Sequence, residues 1–402
     1  MPASFEQART LILENVAPLG TERVSLLEAA GRILAETVTA PWDMPRYDNS
    51  AMDGYAVRAA DCAPGAELVL TGYIPAGGIP EPAVEPRCAV KIMTGGPIPP
   101  QCDAVVPFEQ AEETKGRVTL RGEVRRRDHI RFRGEDIATG AQVLTPGTLL
   151  RPAEINLLAS FGKPFVTLYR RPRVAILSTG DELVELGERL DVGKIVNSNA
   201  LSLAAAVKEV GGEPFLLGIA RDNAESLREK LVEGLRADVL ITSAGVSAGD
   251  LDLVRDILAE LGVEQVFWKV EIRPGRPTAF GLRGTQPVFS LPGNPVATMI
   301  TFEEFVRPAL LKMMGHLCPI KPYVKAALSE PVRKKLGRVQ FLRVCVERKE
   351  GCLVVASSGD QHTGILRTMV RANGIATLPA DRDRFEPGEE VDVHLITGLD
   401  YV

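Results

Sequence analysis

The sequence predicts a multidomain protein of the α/β plus β class, with a central α/β domain built on a mostly parallel sheet and β-rich segments on either side. Three observations lead there. From Arg173 onward, short apolar runs alternate with stretches of helical periodicity, the pattern of strands joined by crossover helices. From about Leu68 to Val143, and again beyond Lys321, β-branched runs are punctuated by Pro and Gly, which suits short strands and turns. Finally, 402 residues with 45% hydrophobic and 25% charged composition exceed what one core normally serves.

Phe5 to Val16 carries Ala8, Leu11, Ile12 and Val16 at helical spacing behind Ser4, a candidate cap. Val24 to Ala35 predicts a second short helical stretch around Leu26, Leu27, Ala29 and Ala30. The segment PWDMPRYDNSAMDGYAVR follows, and its Asp43, Asp48, Asn49, Ser50, Asp53, Gly54 and Tyr55 make it a turn-rich linker or a working loop. The short strands to Val143 read as a small β domain. Pro152 to Phe161 predicts a helix with Ile155, Leu158 and Ala159 on one face, packing back on the first helices. The expected domains are therefore 1–45 with 141–170, a discontinuous N-terminal helical region; 46–140, a small inserted β domain; 171–317, the α/β domain; and 318–402, a barrel-like C-terminal β domain.

Within the α/β part, strands are expected at Val174–Ser178, Phe215–Ile219, Asp238–Thr242 and Val263–Val270, with helices starting near Ser198, Asn223 and Asp250. A further helix runs from Val296 to Met314 after the sharp turn FSLPGNP, and FLRVCVERKEGCLVV reads as a hairpin. Ligands of such sheets gather at the carboxyl ends of the strands. Three of those ends carry polar punctuation: STGDEL, RDN and TSAGVSAGD. In the last, Gly245 and Gly249 allow close ligand approach, Ser243 and Ser247 offer hydroxyls, and Asp250 and Asp252 place carboxylates at the helix start. Two anions beside a phosphate repel it unless a cation intervenes, so phosphate binding here calls for Mg²⁺. The alternative is that Asp250 caps the helix.

The net charge of −5 excludes a broad basic field for nucleic acid, although Arg125, Arg126, Arg127, Arg131 and Arg133 form a local cluster suited to a small anion. No run of eighteen apolar residues and no secretion-signal plan occur, so a cytoplasmic protein without membrane contact is expected. Six cysteines without a C-x-x-C pair and four scattered histidines predict reduced thiols and no zinc. Cys345 and Cys352 read as two small buried side chains of the hairpin, with a disulfide as the lesser alternative.

Taken together, SAMDGYAVR, KIMTGGPIP with CDAVVP, RGEDI, STGDEL, TSAGVSAGD, PGRP and LPGNP resemble the MoeA/gephyrin E-domain family, in order and over almost the whole chain. The resemblance implies a molybdopterin molybdenumtransferase, which takes adenylylated molybdopterin and molybdate, inserts molybdenum into the dithiolene, and releases AMP with Mg²⁺ assistance. It also implies a homodimer of four-domain chains, a MogA-like α/β domain, and a cleft shared between that domain and the N-terminal region of the partner subunit. A MogA-like adenylyltransferase is an implied partner.

By motif, Asp222 and Asp252 take the place of the acids near Mg²⁺, and Glu182 that of another active-site acid. Ser243, Gly245, Ser247 and Gly249, with Pro292, Gly293 and Asn294 of LPGNP, take binding positions. Asp53, Thr94, Arg131 and Asp136 supply the N-terminal contribution, and Lys269, Arg273 and Arg276 the oxyanion contacts. Each has a plainer alternative: Asp222 caps the helix after RDN, Asp53 stabilises its turn, and Thr94 ends a strand. Family members often carry lysines where this chain has Arg273 and Arg276, and a planar fork replaces a compact ammonium there. GDQHTG matches loosely, which leaves His362 and Thr363 as weaker candidates. The competing readings are a tungstate-inserting homologue, a MogA-like adenylyltransferase and a gephyrin-like non-catalytic scaffold.

Overall fold

The computed structural model describes residues 2–79, 83–244 and 251–397, without the side chains of residues 251 and 252. The chain forms two compact units, one of Met1–Ala35, Gly147–Leu150 and Val166–Val402, the other of Glu36–Pro146 and Arg151–Phe165.

The first unit holds the α/β sheet. Its strands are β1 (Arg173–Thr179), β2 (Glu213–Ala220), β3 (Val239–Ser243), β4 (Glu264–Phe267), β5 (Ala279–Arg283) and β6 (Gln286–Leu291), in the order β2-β1-β3-β6-β5-β4. The first four in that order are parallel, and β5 and β4 add antiparallel. β1 and β3 are continuous apolar runs because both sheet faces are covered. Ala175, Leu177 and Leu240 pack on Leu227, Leu231 and Ile257, whereas Val174, Ile176 and Ile241 pack on Leu203, Val207 and Phe305. The crossover helices are α1 (Ser198–Val210), α2 (Ala224–Gly234) and α3 (Leu251–Glu260). The pair β5 and β6 was not separated in the sequence, where their apolar content merged with the loops PTAFG and FSLPGNP.

The N-terminal helix Phe5–Asn15 starts in a capping box on Ser4 and buries Phe5, Ala8 and Ile12 in the same core, where Phe5 meets Phe305 and Phe341 edge-on. Five strands close a barrel at the C-terminal end: Val324–Leu328, Val339–Lys349, Cys352–Ser357, Gly374–Leu378 and Glu390–Leu395. Ile272–Arg273 adds in parallel to the long strand Val339–Lys349. The second unit carries a six-stranded sheet, ordered Ala104–Pro107, Gly54–Val57, Cys88–Ile92, Glu67–Ile74, Arg117–Leu120, Ala111–Thr114. No described helix is long and apolar enough to cross a membrane.

Several expectations are corrected. Val24 to Ala35 is not helical: Thr21–Ser25 is a strand and only Leu26–Glu28 forms a 3-10 turn, after which Gly31 takes φ +76°. The spacing that suggested a helix leaves Leu27 90% exposed, while Val24, Ala29, Ile33 and Leu34 are buried from non-helical backbone. Val296 to Met314 is not one regular helix but α4 (Pro295–Thr301), a π turn at Phe302–Val306 and α5 (Arg307–Met313). Pro308 has no N–H to give the carbonyl four residues back, and the register slips there. Helix Pro152–Ser160 belongs to the second unit, where the Phe161 that follows it meets Trp42 at 6.2 Å, rather than to the unit of Phe5–Asn15. In the hairpin Cys345 opposes Ala356 and Cys352 opposes Lys349, so the two cysteines do not face each other, and Cys352 is exposed.

Candidate functional site

Ser178 of β1, Ser243 of β3 and Leu291 of β6 stand in register across three neighbouring parallel strands. A pocket of about 150 Å³ opens at their carboxyl ends, lined by Ser178, Glu182, Asn197, Asn199, Ser243 and Gly293. The turn Pro292–Asn294 closes one side. Asn294 is the cap of α4, accepting from the N–H groups of Val296 and Ala297, and Gly293 passes so close to Ala244 that a Cβ would lie 2.9 Å from the Ala244 Cβ. The Gly293 carbonyl and Ser243 Oγ both accept from Asn199 Nδ2, at 2.8 and 2.9 Å. Sequence reasoning missed Asn197 and Asn199. Their signal was two asparagines entering α1, which read simply as a helix start.

Glu182 folds back over Gly180, whose φ of +140° and missing Cβ leave room for the carboxylate. Beside it, the Asp181 N–H donates to Asp222 Oδ2 at 3.1 Å and the Asp222 N–H to Asp181 Oδ1 at 3.4 Å. The cap of α2 is Asn223, which accepts from the Ser226 N–H, so the capping alternative for Asp222 is set aside. Gly245, Ser247, Gly249 and Asp250 lie outside the described residues. Asp252 falls in the first turn of α3, with its side chain likewise outside.

A second cleft of the same unit, about 590 Å³, is lined by Arg273, Arg333, Gln340, Ser357, His362 and Thr363. Glu330 and Asp360 also line it, but each carboxylate accepts a backbone N–H, from Ser357 and His362 respectively. Arg273 and Arg333 have no ion pair among the described residues, so the cleft offers two free guanidinium groups to an oxyanion. Arg276 instead pairs with Glu271 at 3.2 Å, a carboxylate also held by Arg338 at 2.9 Å. Lys269 is exposed, and its carbonyl accepts from the Ala3 N–H. The floor of this cleft rests on Arg343, a residue that the apolar run FLRVCV hid. It is fully buried, and its guanidinium donates to Thr368 Oγ1 at 2.7 Å and to the carbonyls of Asp360 and His362 at 3.1 and 3.3 Å.

In the second unit Asp53 Oδ1 accepts from the Thr94 N–H at 2.7 Å and its hydroxyl at 2.8 Å, and these bonds hold the carboxyl below its ordinary pKa. The Ser50–Asp53 turn is stitched to Gly95 and Gly96 by backbone bonds and to His129 through the Ala51 N–H. Asp53, Thr94 and Arg131 thus stand on adjoining segments, Arg131 being paired with Asn49 in a two-residue bridge. Asp136 is exposed and donates its N–H to the Met44 carbonyl. The wider arginine cluster is mostly spent: Arg126 pairs with Asp103, Arg125 with Glu123 and Arg133 with Asp43, while Arg127 lies 4.1 Å over the Phe132 ring. Asp43, holding Thr139 and Arg133, is brought down to about 2. Among the described residues no three His, Cys, Asp or Glu side chains form a metal-ligating group.

A parallel-sheet pocket lined by amides and hydroxyls, in a unit that also carries an arginine cleft, is the kind of arrangement that suits polar, anionic small molecules. Family models narrow this: the MoeA N-terminal region (domain I and II) matches residues 3–162, a probable molybdopterin binding domain 175–312, and the MoeA C-terminal region (domain IV) 325–396. The molybdopterin molybdenumtransferase of Haemophilus influenzae is 36% identical over 97% of this chain and 98% of its own length, and that of a Nostoc species 38% over 92% and 88%. The crystal structure of a molybdopterin biosynthesis MoeA protein from Pyrococcus horikoshii superposes with a TM-score of 0.85 at 31% identity, covering 98% of this chain and all of that one. The chain belongs to the MoeA family.

Proposed function

We propose that this chain is a molybdopterin molybdenumtransferase, inserting molybdenum from molybdate into adenylylated molybdopterin with release of AMP. The observation that carries the reading is the strand-end pocket, which falls inside the segment matched by the molybdopterin-binding model. In this reading the pocket takes the pterin side of the substrate, and Arg273 with Arg333 in the second cleft holds molybdate, whose charge and tetrahedral oxygens suit two guanidinium forks.

Asp181 and Asp222 leave one carboxylate oxygen each free of their reciprocal N–H bonds. Two carboxylates with phosphate oxygens and water form a donor set that Mg²⁺ accepts, so these residues, with Asp252, are the proposed holders of the ion. Mg²⁺ supplies charge neutralisation at the phosphate bridge. The second unit's Asp53, kept ionised and aimed by Thr94, is proposed to orient the reacting groups, with a homodimer bringing that surface to a partner's pocket. Six unpaired cysteines support a reducing, cytoplasmic compartment.

The test mixes purified protein with adenylylated molybdopterin, Mg²⁺ and molybdate, and measures AMP release and metal-loaded cofactor. Turnover should require all three, and Arg273→Ala should raise the molybdate concentration needed for half-maximal rate at least tenfold, as removal of a charge-assisted contact does. A folded protein that releases no AMP would sink the reading.

A further inference from the structure

Two buried amides in the strand-end pocket carry hydrogen-bonding capacity that the protein does not use. Asn197 is 3% exposed and Asn199 9%, and both line the pocket. The orientation of Asn199 is fixed by the Gly293 carbonyl, which can only accept: Nδ2 faces it at 2.8 Å and Oδ1 is left as an acceptor. Asn197 Oδ1 accepts from Ser178 Oγ at 2.7 Å, which leaves Nδ2 as a donor. Among the described residues neither Asn197 Nδ2 nor Asn199 Oδ1 has a hydrogen-bond partner. Buried polar atoms are rarely left so, because each loses its water without replacement. The two residues line the same small pocket at the ends of β1 and β3, one with a donor and the other with an acceptor that no described residue takes up.

We infer that this pair reads a lactam edge, the adjacent ring carbonyl and ring N–H of a fused pyrimidinone. Asn197 Nδ2 donates to the ring oxygen, and Asn199 Oδ1 accepts from the ring N–H. The inference rests on the pocket being the pterin side of the proposed reaction, and it adds which atoms select the heterocycle. Ser178 and Gly293 act as positioning groups that hold the two amides, and a site built to satisfy both hydrogen bonds discriminates steeply against a ring lacking one of them.

The experiment titrates the full chain with pterin, with 3-methylpterin, whose ring N–H is replaced by a methyl group, and with AMP, by calorimetry. Pterin should bind at least tenfold more tightly than 3-methylpterin. Asn197→Asp keeps the oxygen that accepts from Ser178 but turns the free donor into an acceptor; it should weaken pterin at least tenfold and leave AMP unchanged. Asn197→Ser serves as a second variant if the first does not melt like the parent, and should weaken pterin in the same sense. Equal affinity for the two pterins, no pterin binding, a folded variant that binds pterin normally, or parallel loss of pterin and AMP each overturns the inference. The molybdenum-insertion assay on the same preparation separates the two failures: an active enzyme indifferent to the lactam edge defeats only this inference, and an inactive one that discriminates defeats only the proposed activity.

Discussion

A guanidinium buried on the outer face of the barrel wall, opposite the core-facing Leu342 and Val344, has lost its water and must recover those contacts from the protein, and Arg343 does so through Thr368 and two loop carbonyls. Its backbone adds to the same loop: the Arg343 N–H donates to Gln361 Oε1, and its carbonyl accepts from Ser358 Oγ. This side chain therefore shapes the segment that lines the arginine cleft without being free to touch a ligand through those nitrogens. Arg343→Met should cost about 3 kcal/mol in denaturant unfolding, because it strands the loop carbonyls, and should speed amide exchange over residues 358–364. Unchanged exchange there would remove Arg343 from its anchoring role. Arg343→Lys should restore little, since one ammonium cannot span the three acceptors.

At the scale of the element, the working parts are strand ends and the turns that follow them. STGDEL is informative in sequence because Gly and Asp after an apolar run mark the exit of a buried strand, but the fold-back of Glu182 over Gly180 depends on a φ that no pattern prints. Gly180→Ala places a Cβ against the Glu182 carboxylate in a left-handed conformation. We expect a loss of ~1–2 kcal/mol in stability and a fall in molybdenum-insertion rate well beyond what that loss explains. Full activity in Gly180→Ala would show that the position of Glu182 is immaterial. The π turn at Phe302–Val306 is a second element that no sequence period records, and it carries Glu304 into the core.

Across the first unit, Glu304 of that turn meets His394 of the barrel, Oε1 to Nδ1 at 3.1 Å, both almost fully buried. Arg9, Glu303, Arg307, Lys321 and Tyr323 surround them; Glu303 draws Lys321 and Arg307, and Arg9 binds the Tyr323 hydroxyl. Burial pushes Glu304 up to about 8 and His394 down to about 3, so at neutral pH both are uncharged. The folded state holds the Glu304 proton more tightly than the unfolded chain, so that contribution is lost as pH rises from the ordinary 4.5 through 8. His394 acts in the other sense, its contribution being lost as pH falls from 6.5 to 3. Above pH 6.5 Glu304 acts alone, and stability should fall with a slope approaching ~1.4 kcal/mol per pH unit. Glu304→Gln should flatten the melting temperature between pH 6.5 and 8.5; an unaltered slope would place the titration elsewhere.

What the sequence by itself determined are properties carried by period and punctuation. The crossover pattern from Arg173, the barrel-like tail, and the strand-end motifs around Glu182, Asp222 and Ser243 were legible because buried strands must be apolar and their exits must turn. The tertiary structure decided which polar side chains are spent and which are free. Arg276 is held by Glu271 while Arg273 is not, Asn223 rather than Asp222 caps its helix, and Asn197 and Asn199 keep one unused atom each. Such facts depend on partners far apart in the chain, brought together only when the strands register, and no local pattern records them.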